Sequence, residues 1–506
     1  MNMETLAIIN AIGLNAYATR PFAEGHSALD RVIDVARASA DITIVLASAE
    51  TGRTDGIRTL VRDHWSMHDV LSAMARLSAE LPSIDAVLYM HGDAPFTDAE
   101  LSATLLELHR RYRAEYTFAD GYPPGFAPEV MATRSLPNLA ELAARNDGEP
   151  SRDGLFAVIQ KDINTYDIET HLAPVDLRGY RFSPVCDTRR NFVAAQRLWA
   201  LGCRSAADVT TILPAHPELL RTLPAFMWVQ IAEGCPQSCS YCPYPAMVGD
   251  PRSLSGFMPV DRFAALMSGA DELCDDLVVD VSLWGEPSRH PDFRALAETV
   301  LSHPRFTLLV ETSGLGWQPG LAESVAVAGG DRVQWIVSLD QVDQEGYLAL
   351  RGDGQAEATA FAERMILAAP GRVHVQAVRM RDNESGLENF YRTWKKQTDK
   401  VIIQKYDSFA GCLPDRTVAD LSPLERLPCR HLARDIAVLI DGSVPPCKHA
   451  LVNTDGRPGY VHPVGNVFSD GLQAVWNGID AWYEDHVAGR YPDPCGRCDE
   501  YHTFNA

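Results

Sequence analysis

GCPQSCSYCPYP, residues 234–245, places Cys235, Cys239 and Cys242 within eight residues, separated by three and then two. Thiols in so polar a loop are exposed and oxidisable unless something binds them. Structural zinc takes four protein ligands, and this set is one short. Three thiolates close in sequence suit a 4Fe–4S cluster better. Each binds one iron, and the fourth iron stays open to a ligand from outside the chain. The stretch follows an apolar run, MWVQIA (227–232), so the cysteines lie where a strand ends and a loop begins.

Outward from this stretch the chain reads as α/β. From 225 onward MWVQIA, LVVDVSL, FTLLVE, VQWIVSL, VHVQAV and VIIQ read as six strands. VDRFAALMSGADEL, DFRALAETVLS and AEATAFAERMILAA carry a helical period between them. Six strands with intervening helices predict an open, partial (β/α)6 barrel. In such sheets chemistry sits at the C-terminal strand ends. Residues 1 to about 205 show a separate alternation (TLAIINAI, ITIVLAS, AVLYMHGDAPF, EYTFADG), which predicts a parallel sheet covered by helices. TTILPAHPELLRTLP (210–224) reads as a linker because of its prolines. After about 409 the alternation fails, and IAVLIDGS, turns and four cysteines dominate. The expected domains are 1–215, 216–408 and 409–506.

The chain has 506 residues, 11 cysteines, 46% hydrophobic residues and a formal net charge of -22. That charge argues against a nucleic-acid partner held through phosphates. No apolar run approaches a membrane span, and the start lacks the basic region of a signal peptide. The expectation is a cytoplasmic chain with no membrane partner, whose cysteines are not paired as disulfides. Cys186, Cys203, Cys274 and Cys412 stand apart and read as small hydrophobes. Cys429, Cys447, Cys495 and Cys498 form two pairs that can close a site, and zinc and a 4Fe–4S cluster both fit it. His431 and His449, two residues beyond a cysteine each, read as surface groups or neighbours of the ligands rather than ligands.

The cysteine trio, with Tyr241 before its last member, resembles the CxxxCxφC motif of the radical S-adenosylmethionine (SAM) superfamily. The likeness continues in order at later strand ends. LWGEP (283–287) resembles that family's GGE motif, with Trp284 in place of the first glycine. The resemblance implies that the backbone around Gly285, together with Glu286, holds the SAM amino group. ETSG (311–314) follows. VSLD (337–340) resembles the ribose motif and implies Ser338 and Asp340 as hydroxyl-binding residues. Arg351 in YLALRG and Asn383 in VQAVRMRDNES are implied as further contacts. Taken singly these segments have plainer readings: a tight turn for LWGEP, helix caps for Ser338 and Asp340. The C-terminal cysteines, with Gly442 ahead of Cys447, resemble the SPASM domain and its shortened twitch form. That likeness implies one auxiliary 4Fe–4S cluster with no open iron.

YMHGDAPFTD (89–98) and CDTRRNFVAAQRL (186–198) resemble segments of sugar-nucleotide cytidylyltransferases. The likeness makes Asp93 a candidate ligand for a divalent metal on nucleotide phosphates; a turn or a helix cap is the plainer reading. The early loop offers only Arg20 and no lysine, so phosphate cover is thin. The whole chain resembles the spiro-SPASM family. The resemblance implies an enzyme that reductively cleaves SAM at a 4Fe–4S cluster and abstracts hydrogen from a peptide, protein or small molecule. It also implies an electron donor such as flavodoxin or ferredoxin. The alternative is a nucleotidyltransferase with a regulatory iron–sulfur half.

Overall fold

The computed structural model describes residues 4–48, 56–145, 148–454 and 457–502. The chain divides into two compact units, Met1–Thr222 and Leu223–Ala506.

The first unit is built on seven strands: β1 (Glu4–Ala11), β2 (Ile42–Ala47), β3 (Arg58–Val61), β4 (Ile84–His91), β5 (Tyr116–Asp120), β6 (Glu129–Ala132) and β7 (Ile168–Leu172). Their order across the sheet is β3-β2-β1-β4-β6-β5-β7, and only β6 runs antiparallel to its neighbours. β1 is buried on both faces, which is why it reads as an unbroken apolar run rather than an alternating one. Helices Ala28–Ser39 and Met67–Glu80 each open with a complete capping box, Ser27 with Asp30 and Ser66 with Asp69. Separate apolar cores lie on the two faces of the sheet. The segment read as a linker folds into this unit. Helix Ala206–Ala215 runs through Pro214, and Leu213 and Leu219 sit in the core. Its apolar residues recur at helical spacing, and that outweighs the prolines.

The second unit contains the six expected strands: β8 (Phe226–Val229), β9 (Val278–Asp280), β10 (Thr307–Thr312), β11 (Val333–Ser338), β12 (Val373–Arg379) and β13 (Val401–Lys405). A seventh, β14 (Asp435–Val438), comes from the IAVLIDGS segment and pairs in parallel with the outer edge of β8. The order is β13-β12-β11-β10-β9-β8-β14, all parallel. Residues 409–506, which the sequence suggests as a domain apart, thus share one compact unit and one sheet with the barrel. Lys405 at the end of β13 pairs with Asp499 (2.6 Å) and Glu500 (2.5 Å), tying the chain's last described turn to the barrel edge. Two short antiparallel pairs complete the segment, β15 (Ser443–Val444) with β18 (Gly465–Asn466), and β16 (Leu451–Thr454) with β17 (Arg457–Tyr460). Among the described residues, no helix is long and apolar enough to cross a membrane.

Candidate active site

The loop carrying Cys235, Cys239 and Cys242 leaves the end of β8 and interlocks with the loop after β9. A Cβ on Gly285, whose φ is +79°, would lie 2.1 Å from the Ala232 carbonyl oxygen. A Cβ on Gly234 would lie 2.6 Å from the Leu254 oxygen. The Glu286 amide donates to the Gly234 carbonyl at 2.8 Å. Two backbones this close leave room for glycine alone. The three cysteines line one cavity of about 230 Å³, with Trp284, Gly285 and Ser338 on its wall. Burial pushes all three thiols up, Cys242 to about 12; Glu286 and the neighbouring thiolates add to the rise at Cys235, and Cys239 adds to it at Cys242. Three thiolates are held here only with positive charge between them, which is what a metal cluster supplies.

Several residues singled out from the sequence face each other rather than the cavity. Asp340 is fully buried with φ +63°. Its carboxylate accepts from Arg351 (2.7 Å), from the Tyr241 hydroxyl (2.5 Å) and from the Val378 amide (2.7 Å). Arg351 also donates to Gln237 Oε1 at 3.1 and 2.8 Å. Tyr241 and Gln237 belong to the cysteine loop, so this buried network pins that loop to β11, to β12 and to helix Gln344–Arg351. Asp340, expected at the ribose, and Arg351, expected as a further contact, engage each other in this structure, because each is the other's nearest counter-charge. Asn383 likewise closes a turn: its Oδ1 accepts from the Met380 amide and its Nδ2 donates to the Val378 carbonyl, both at 2.8 Å. Glu286 turns away to the end of β10, where its carboxylate accepts from the Thr312 hydroxyl and from the Ser313 amide (2.9 Å) and hydroxyl (2.6 Å). The groups left facing the cavity are the backbone at 283–285 and Ser338, with Tyr241 on the wall. Trp284 stacks on Tyr244 and donates from Nε1 to the Tyr460 hydroxyl at 2.8 Å, joining the barrel mouth to β17.

Cys429, Cys447, Cys495 and Cys498 line a second, smaller cavity with His431, His449 and His486. Gly442, φ +89°, turns the chain ahead of Cys447, and a Cβ there would strike Phe468 at 2.2 Å. The amides of His449 and Glu500 donate to the sulfurs of Cys447 (3.5 Å) and Cys498 (3.4 Å). Each of the three imidazoles has a buried Nε2 without a hydrogen-bond partner among the described residues. Their Nδ1 atoms are engaged: His431 with Asp435 (2.5 Å), His449 with Asp407 (2.6 Å), and His486 accepting from the Cys429 amide (3.3 Å). His431 and His449 are therefore buried neighbours of the ligands. His486, whose Nδ1 accepts, carries its proton on Nε2, and this donor with the two amides fits a sulfur-rich cluster whose sulfides accept hydrogen bonds. Burial pushes Cys429 to about 12 and Cys495 to about 11.

In the first unit Asp93 lies just beyond β4, and the Arg152 guanidinium is bonded to its carboxylate. The nearby Asp187 carboxyl is pushed up by burial and then by the Asp93 charge, although Asn191 donates to it at 2.8 Å. A divalent cation on Asp93 has to displace a guanidinium already in place, so the residues as they stand do not fit that metal.

The barrel interior also holds charges to which the motifs assign no role: Asp280 on β9, Glu311, which opens the ETSG segment, on β10, and Lys448 beside Cys447. Only the periodicity of the strands could have pointed Asp280 and Glu311 inward.

The geometry so far defines an α/β protein with two cysteine-lined sites in its second unit. A family model of the SPASM iron–sulfur cluster-binding domain matches residues 429–499, and a MobA-like NTP transferase domain model matches residues 18–160. An uncharacterized protein of Treponema pallidum (strain Nichols) is 34% identical over 371 residues, covering 69% of this chain and 98% of that protein. The chain belongs to the family of that Treponema protein. The spore coat polysaccharide biosynthesis protein SpsF of Bacillus subtilis (strain 168) is 25% identical over 146 residues, 28% of this chain and 59% of that protein. Among solved structures, Streptococcus suis SuiB bound to S-adenosylmethionine covers 61% of this chain and 80% of its own, at 14% identity and a TM-score of 0.42.

Proposed function

We propose that this chain is a radical SAM enzyme that reductively cleaves S-adenosylmethionine at a 4Fe–4S cluster held by Cys235, Cys239 and Cys242. It then takes a hydrogen atom from a substrate, a peptide or protein being the reading the cysteine layout favours. One observation carries this: three thiols, and no fourth, share a cavity at the C-terminal ends of a parallel barrel with an interlocked glycine loop. A reduced cluster in that place supplies the electron that splits the sulfonium of SAM. The chain's own part is to hold the cofactor beside it. The 283–285 backbone faces the amino-acid end of SAM, Ser338 faces the ribose, and the barrel walls keep water away. The four-cysteine site, fully supplied with ligands, takes an auxiliary 4Fe–4S cluster. Flavodoxin or ferredoxin in the cytoplasm is the electron donor. Anaerobically reconstituted protein with dithionite should form 5′-deoxyadenosine from SAM. No product with the trio's cluster intact overturns the reading.

The NTP transferase match supports a second reading, nucleotidyl transfer in the first unit. It expects pyrophosphate release from a nucleoside triphosphate and a sugar acid, lost in Asp93→Ala. The Asp93–Arg152 pair favours instead a unit that binds a nucleotide-sugar or partner without turning it over.

A further inference from the structure

The cavity beside the cysteine trio runs into a larger one of about 470 Å³ inside the barrel, and the two share Trp228, Glu311, Gln376 and Lys448. Trp228 and Asp280 are register partners on β8 and β9, and Asp280 partners Leu309 on β10, two residues before Glu311. Trp228, Asp280 and Glu311 thus form an arc across three neighbouring strands, on the face turned inward. The Lys448 ammonium sits 4.5 Å from the centre of the Trp228 ring.

Most other charges on this wall are matched. Lys405 holds Asp499 and Glu500, and Asp407 holds His449. Among the described residues, Glu311's carboxylate and Lys448's ammonium make no hydrogen bond or ion pair, and Asp280 is bonded only by Ser282. Buried charges are ordinarily paired, so an unpaired set lining a cavity marks where a ligand completes the pairing. Two carboxyl groups face one ammonium here, so a cation that enters finds an acid that Lys448 does not already match. His449, a side chain 6% exposed whose Nε2 has no hydrogen-bond partner among the described residues, lines both cavities as well as the four-cysteine one. The strain is visible at Asp280, whose carboxyl is pushed up to about 8 by burial and then by the Glu311 charge.

We propose that Asp280 and Glu311 form a subsite for a cationic group of the substrate, a primary ammonium or a guanidinium, seated against Trp228 and across from Lys448. This deepens the function proposed above and names the substrate class. An amine set between the carboxylates removes their mutual repulsion and leaves Lys448 to face an anionic part of the same molecule.

The test is calorimetric titration of the reconstituted full chain with cadaverine and, separately, with a blocked Gly-Lys-Gly peptide. Binding in the first arm points to a small amine, in the second to a lysine side chain of a peptide. In either case Glu311→Gln and Asp280→Asn should weaken binding at least tenfold, Lys448→Met should tighten it, and SAM affinity should stay within twofold. The Lys448→Met arm keeps the test open should a carboxylate variant fold poorly. The proposal is overturned if neither probe binds, if the variants bind as the parent does, or if SAM affinity falls by the same factor. Since 5′-deoxyadenosine formation is measured without these probes, failure here is distinguishable from failure of the radical SAM reading.

Discussion

The two cysteine sites of the second unit are held by different means. The loop of Cys235, Cys239 and Cys242 is fixed from behind by a buried ionic network, Tyr241–Asp340–Arg351–Gln237, and by backbone packed on backbone at Gly234 and Gly285. The set of Cys429, Cys447, Cys495 and Cys498 instead has donors close around it, two amides on sulfur and the Nε2–H of His486, with His431 and His449 buried alongside. A site that admits an outside ligand needs its scaffold outside the reactive space, and the first has that form. A site already complete in ligands can crowd donors around them, and the second does so.

The largest expected effect tests this contrast directly. Replacing any of Cys235, Cys239 or Cys242 by Ala should reduce 5′-deoxyadenosine formation to background, whereas Cys498→Ala should retain part of it. Equal losses at both sites would erase the distinction. Asp340→Ala leaves Arg351 buried without its partner and should cost about 3–5 kcal/mol in chemical denaturation, as broken buried pairs do. If Asp340 instead served only a ribose, stability would hold and SAM affinity alone would fall. Gly285→Ala meets both an unfavourable φ, worth about 1–2 kcal/mol, and the Ala232 oxygen. It should lower the melting temperature and weaken SAM binding together. Trp284→Phe keeps a ring against Tyr244 but loses the bond to Tyr460 and part of the indole packing, and should cost at least about 1 kcal/mol.

Stability also depends on pH through the barrel interior. Asp280's carboxyl, ordinarily near 3.8, stands at about 8 in the fold, with Glu311 and Lys448 as the charges facing it. Between those values the folded chain holds a proton that the unfolded chain has released. Stability should therefore fall as pH rises from about 4 to about 8, and Asp280→Asn should flatten that slope. An unchanged slope in thermal melts would mean that Asp280 does not carry the charge.

Much of this was legible in the residues. The six barrel strands, the helices between them and the three helices with clear apolar period fall where their patterns place them, because period and burial are local properties. The grouping of each cysteine set is likewise encoded in spacing. What spacing does not encode is direction. Asp340, Arg351, Asn383 and Glu286 have the right side chains at the right strand ends, yet they bond neighbouring side chains or the backbone, since a buried polar group takes its nearest partner. Asp280, Glu311 and Lys448 come from three distant segments and meet only in the folded barrel. The place of 435–438 in the sheet was equally hidden, because three apolar residues after an aspartate state a strand but not its neighbour.

That placement of β14 bears on how the molecule is made. A nascent chain that has emerged only to residue 434 already carries the cysteine trio and all six barrel strands, but β8 still has a bare edge. The strand that covers it is synthesised only afterwards, with Cys447, Cys495 and Cys498 following it. The barrel sheet therefore gains its outer strand only while the second cysteine set is still being completed.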